Sequence, residues 1–211
     1  MLLVEGKDEV GFFEALLGKL PHSEVQVIDV GGKDKFDGRF EALVKLPGFA
    51  NVERIGIVRD AEESYAGAIQ SVQGTLARHR LPVPASGGEV IANGSMRVGC
   101  WVMPNNSDPA SIETICWGII DSKDQRRRCT RIFTWLLRLR IPSSAQASQD
   151  TGLPATGPYL PANLDKVRMQ AYMGSLHKPM RELGTAARAG VWNLEHRHLS
   201  TIRNFLAELF S

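Results

Sequence analysis

Apolar positions along this chain change their spacing in a regular order. Leu2 to Glu5 opens with a short unbroken apolar run, the pattern of a buried strand. Val10, Phe13, Leu17 and Leu20 follow at the spacing of one helical face, with Asp8 placed to cap that helix. Val25 to Val30 is β-branched and strand-like, and Gly31-Gly32 breaks it. Phe36, Phe40, Leu43 and Leu46 return to helical spacing. Arg54 to Arg59, enclosing Ile55, Ile57 and Val58, reads as a third strand, and Tyr65, Ile69, Val72 and Leu76 mark the next helix. Strand and helix alternate three times over. That rhythm predicts an α/β fold with a central, mainly parallel sheet flanked by helices on both faces.

Beyond Arg80 the pattern changes. Pro82, Pro84, Gly87-Gly88 and Asn93-Gly94 are turn signals, and Asn93-Gly94 between two apolar runs predicts a hairpin. Val98, Cys100 and Val102 fit a fourth sheet strand. Asp108-Pro109 has the form of a helix start, with Ile112, Ile115, Cys116 and Ile119 as the apolar face. A basic helix is expected over about 122–140, then an exposed loop rich in Pro, Ser, Ala, Gly and Gln over 141–161. Closing helices follow, the last carrying Leu199, Ile202, Phe205, Leu206 and Leu209. The expected organisation is an α/β core over 1–120 and a helical C-terminal region over 121–211, with no internal repeat.

Composition changes this picture in two ways. The 211 residues carry 25 Lys and Arg against 23 Asp and Glu, which excludes a polybasic tail protein and an acidic disordered chain. The near balance hides an asymmetry, since residues 1–113 sum to −5 and residues 114–211 to +7. An acidic front suits a cation, and a basic back suits a polyanion. No apolar run approaches the roughly 18 residues of a membrane span, and the start lacks the basic-then-apolar order of a signal peptide. Three widely spaced cysteines form neither a zinc motif nor a disulfide framework, so the expected location is a reducing cytoplasm, with no membrane partner.

In open parallel sheets, sites form beyond the carboxyl ends of strands. Glu5 ends the first strand. Asp60 ends the third, and Glu62 lies two residues on, a spacing that puts both side chains on one side of an extended segment. Adjacent first and third strands would bring three carboxylates to one crevice. Such a cluster repels itself unless a cation is present, and oxygen-only ligands favour Mg²⁺ or Mn²⁺. Lys7 and Lys33, the latter after a Gly pair at a strand end, are candidate phosphate contacts. Arg126, Arg127, Arg128 and Arg131 are candidates for tracking a nucleic-acid backbone. His196-x-His198 has the wrong spacing for two ligands on one helix face and reads as a surface or capping pair. Neither a Gly-x-x-x-x-Gly-Lys-Ser/Thr loop nor Gly-x-Gly-x-x-Gly occurs, so the chain supplies no P-loop ATPase and no dinucleotide fingerprint.

Leu3-Val4-Glu5-Gly6-Lys7-Asp8-Glu9, with a Phe-rich helix behind it, resembles the first motif of the TOPRIM domain: strand, Glu, Gly, helix. Ile57-Val58-Arg59-Asp60-Ala61-Glu62 looks like the second, normally an Asp-x-Asp pair after the third strand. Val-Gly-Gly-Lys-Asp at Val30 to Asp34, and Pro104-Asn105-Asn106 ahead of Glu113, resemble a prokaryotic TOPRIM-related family akin to the nuclease domain of overcoming-lysogenization-defect proteins. The good motifs span about residues 2–120. The resemblance implies a Rossmann-like TOPRIM core and a Mg²⁺- or Mn²⁺-dependent nuclease or phosphodiesterase acting on DNA or RNA. Glu5 would be general acid/base or metal ligand, Asp60 and Glu62 metal ligands, and Glu113 an extra acid for a second metal. Two departures stand out: Glu62 replaces the usual Asp, and Asn105 stands where an acid is expected. They favour the alternative that the resemblance also implies, a catalytically weak binding or regulatory subunit, partnering a separate ATPase in phage defence. A homo-oligomer is also an expectation. Within these 211 residues neither the tyrosine-bearing domain of a topoisomerase nor the template-binding domains of a primase are expected.

Overall fold

The computed structural model describes residues 1–21, 24–61, 64–107, 110–120, 130–131 and 164–211. Five strands, Leu2–Val4 (β1), Val27–Asp29 (β2), Arg54–Asp60 (β3), Val90–Asn93 (β4) and Met96–Met103 (β5), form one sheet in the order β2-β1-β3-β5-β4. β1, β2, β3 and β5 run parallel; β4 is the antiparallel edge. β4 and β5 make the expected hairpin, with Asn93 opposite Met96 and the turn at Gly94-Ser95, where Gly94 adopts φ +62°.

The described helices are Lys7–Leu17 (α1), Phe36–Val44 (α2), Tyr65–Arg78 (α3), Ile112–Gly118 (α4), Leu164–Gly174 (α5), Leu183–Arg188 (α6) and Ser200–Phe210 (α7). The chain divides into two compact units, 1–119 together with 182–211, and 120–181. In the second unit α5 has Met169, Tyr172 and Met173 as buried side chains, and the Ser175 hydroxyl donates to the Tyr172 carbonyl at 2.7 Å beyond its end. Of the basic helix expected over 122–140 only Thr130 and Arg131 are described, both helical; the loop at 141–161 lies outside the described residues.

In the first unit the two sheet faces differ in kind. Side chains alternate along β3, so Ile55 and Ile57 point to one face and Gly56 and Val58 to the other. Ile55 and Ile57 join Phe36 and Phe40 of α2 and Ile69, Val72 and Leu76 of α3 in one buried cluster. On the opposite face Gly56 pairs with Gly99 of β5. A Cβ on Gly99 would lie 2.8 Å from Phe205, and one on Gly56 would lie 2.9 Å from Leu209, so the glycine pair makes a trough that seats α7. α7 buries Ile202, Phe205, Leu206, Leu209 and Phe210. At roughly 1.5–3 kcal/mol per buried large side chain, that packing holds it in place.

Two local expectations are corrected. Asp8 does not cap its own helix. The α1 N-cap is Gly6, and Asp8 Oδ1 instead accepts the Gly184 N–H at 3.2 Å, at the start of α6, whose own N-cap residue Glu182 makes no side-chain cap. α1 and α6 meet at Gly11 and Gly184, and this crossing brings Asp8 to an orphan amide more than 170 residues away in sequence. Nor does α4 start at Pro109. Ser111 is still extended (φ −140°, ψ −178°) and the helix begins at Ile112.

Candidate active site

The connection β1-α1-β2 leads to one side of the sheet and β3-α3-β5 to the other, so the carboxyl ends of β1 and β3 flank a topological switch point, the place where open α/β sheets form ligand crevices. Glu5 and Asp60 both stand there. Glu5 Oε1 accepts the Asp60 backbone N–H at 3.2 Å, which ties the acid after β1 to the end of β3. The strand adjacency on which the sequence argument depended is present, with Leu2 opposite Gly56 and Leu3 opposite Ile57. Glu62 lies outside the described residues.

Arg59 is the residue that sequence reasoning missed. Its Nε donates to Glu5 Oε1 at 2.5 Å, and both side chains are nearly enclosed, at 6% and 12% exposure. The guanidinium also lies over the Phe36 ring, 4.8 Å from its centroid. The inward β3 position after Ile55 and Ile57 reads from sequence as one more apolar site or a strand end; only the neighbouring β1 shows that a carboxylate waits there.

A second acid was also missed. Glu9, in the first turn of α1, is buried, at 8% exposure. Burial pushes its carboxyl up to about 7, with further upward pressure from Glu5, Asp8 and Glu113, opposed by a hydrogen bond from its own backbone. The negative field therefore extends from Glu5 to Glu113, whose Oε2 accepts the buried Ser111 hydroxyl at 2.5 Å. One result follows for stability. A carboxyl whose folded value lies near 7 and whose ordinary value is 4.5 contributes stability that is fully present below about pH 4.5 and is lost as pH rises through about 7. Glu9→Gln removes that loss. Its stability relative to wild type should rise by up to about 1.4 kcal/mol per pH unit across this window, read by urea unfolding at its two ends. A difference that stays constant with pH would show that Glu9 ionises normally.

The remaining candidates separate. Lys33 sits in a 3₁₀ turn, Lys33–Lys35, after Gly31 and Gly32, both at positive φ (+79° and +97°). The turn brings it to a crevice of about 380 Å³ that Arg59 and Asp60 also line. Lys7 is exposed at the first residue of α1. Asn105 is a turn residue whose Oδ1 accepts from the Ser107 N–H at 3.2 Å and hydroxyl at 3.0 Å. Arg131 is exposed in the second unit; Arg126, Arg127 and Arg128 lie outside the described residues. His196 Nδ1 accepts the His198 N–H at 3.2 Å, a capping contact. Among the described residues no group of three or more His, Cys, Asp or Glu side chains is arranged to hold a metal ion. The donors at the switch point are carboxylate oxygens, a chemistry that suits a hard divalent cation.

Fold and site together define an α/β protein with a mostly parallel five-stranded sheet, acids at the carboxyl ends of β1 and β3, and a nearly enclosed Arg59–Glu5 ion pair between those strand ends. The chain belongs to the family described as protein of unknown function DUF3226, whose model matches residues 1–211. A search of curated proteins found no match, and a search of solved structures found none. No helix among the described residues is long and apolar enough to cross a membrane.

Proposed function

We propose that this protein is a TOPRIM-like, Mg²⁺- or Mn²⁺-dependent nuclease or phosphodiesterase that acts on DNA or RNA in the cytoplasm. The observation that carries the reading is the meeting of Glu5 with the end of β3 at the switch point, through the Asp60 N–H. Asp60 and Glu5, with Glu62 beyond the described residues, would hold the cation, and Glu113 would support a second. When bound, a divalent cation polarises a phosphoryl oxygen and steadies developing charge. Glu5 serves as the acid or base that moves a proton at the attacking or leaving oxygen. Lys7 and Lys33, with Arg126, Arg127, Arg128 and Arg131, are the basic residues this reading assigns to the phosphate backbone.

One observation favours a second reading, a binding or regulatory subunit that partners a separate ATPase in phage defence. Arg59 occupies the Glu5 carboxylate at 2.5 Å and holds the group that proton transfer requires. Incubation with plasmid, single-stranded DNA and structured RNA, in Mg²⁺, Mn²⁺ or EDTA, separates the two. Metal-dependent cleavage that falls by about 100-fold or more in Asp60→Ala is the expected result. Absence of cation binding by calorimetry, with no cleavage of any substrate, supports the regulatory subunit. Cleavage undiminished in Asp60→Ala rejects the proposed site.

A further inference from the structure

We propose that the crevice against the first turns of α3 is a subsite for a phosphoryl group, with Arg59 as its buried ligand. This deepens the phosphodiester reading and rests on it for the identity of the ligand. The crevice, about 380 Å³, lies between the Lys33–Lys35 turn, the end of β3 and the first two turns of α3. Lys33, Arg59, Ser64 and Ser71 line it, as do the acids Asp34 and Asp60.

Two independent features point to an anion. The first is the amino end of a 14-residue helix, where backbone N–H groups and the macrodipole favour negative charge; Ser64 Oγ accepts one of these amides, from Gly67, at 3.1 Å. The second is the state of Arg59. Its residue is 5% exposed. Glu5 takes Nε, while Nη1 is buried with no hydrogen-bond partner. Stacking on Phe36 accounts for a face of the guanidinium but satisfies no in-plane N–H. A buried charged donor without an acceptor is costly and rare in a native structure. A planar fork that gives Nε to a carboxylate and leaves Nη1 without an acceptor, on a residue that lines the crevice, matches a phosphate oxygen. Asp34 and Asp60 oppose a bare anion, so the subsite selects a phosphoryl group that arrives with a cation.

The test is titration of the full chain with inorganic phosphate, in EDTA and in Mg²⁺, followed by calorimetry. Saturable binding is expected, tighter in Mg²⁺, and at least about tenfold weaker in Ser71→Glu and in Arg59→Lys. Ser71 is exposed on α3, so Ser71→Glu brings a negative charge to the crevice without touching the core. Arg59→Lys keeps a cation beside Glu5 and loses only the fork. Absence of saturable binding in both conditions, or equal affinity in wild type and both variants, overturns the subsite. The readout is independent of cleavage. Phosphate binding without nuclease activity keeps the subsite and removes the nuclease, and Asp60-dependent cleavage with unaltered phosphate affinity in both variants removes the subsite alone.

Discussion

Arg59→Met is expected to destabilise the first unit by about 3–5 kcal/mol, because it leaves the Glu5 carboxylate enclosed without its partner. The desolvation of both charges is already part of the folded state. Removing the guanidinium leaves the Glu5 carboxylate with the Asp60 N–H, at 3.2 Å, in place of an ion pair. Removing both is a different matter. Arg59→Met combined with Glu5→Leu replaces the pair by apolar groups and should recover most of the loss, since well-packed replacements of buried pairs are often neutral or better. Urea unfolding of wild type, both single variants and the double variant closes the cycle. A single Arg59→Met variant within about 1 kcal/mol of wild type would show that this pair does not hold the ends of β1 and β3 together. The same cycle bears on function, because the residue that steadies the fold here is the one that restrains the proposed acid.

Gly11→Val is expected to cost about 3 kcal/mol or more and to detach α6 from α1. A Cβ on Gly11 would lie 2.6 Å from Gly184 Cα and within 2.9 Å of the Gly184 carbonyl carbon and oxygen. These are backbone atoms, which cannot rotate aside, so one helix must move. Two contacts span that crossing: the Asp8 cap on Gly184 and the Arg188–Glu14 ion pair at 2.8 Å. Hydrogen exchange of the α6 amides should quicken more than that of the β3 amides. Gly74→Ala in α3 is the control. Nothing lies within 4 Å of a Cβ there, so it should stabilise by roughly 0.5–1 kcal/mol. Gly11→Val as stable as wild type would mean that the two helices do not cross at these residues.

Legibility from sequence was uneven for physical reasons. The alternation of strand and helix through residue 78 was readable because each element buries one continuous face and so writes its own period: Phe36 and Phe40 in α2, and Ile69, Val72 and Leu76 in α3, fill one cluster at helical spacing. Glu5 and Asp60 were readable as strand-end acids, since strand ends follow from those periods. Arg59 was not, because a charge inside a strand has no period; its place is explained by a carboxylate 54 residues away. Glu9 was passed over because acids in the first turn of a helix are ordinary, and only burial together with Glu5, Asp8 and Glu113 sets it apart. Gly11, Gly56, Gly99 and Gly184 have no side chain to enter an apolar pattern, yet all four mark close approaches to another element.

By itself, then, the sequence determined the class of fold, the parallel run of the main strands and the two acids at their ends, because local spacing of apolar side chains dictates which face an element must bury. The tertiary structure alone decided the strand order that makes β1 and β3 neighbours, the return of α6 and α7 to the first unit, and the pairing of Glu5 with Arg59. These are contacts between residues distant in the chain. Their energy comes from desolvation and close packing across elements, which no local pattern records.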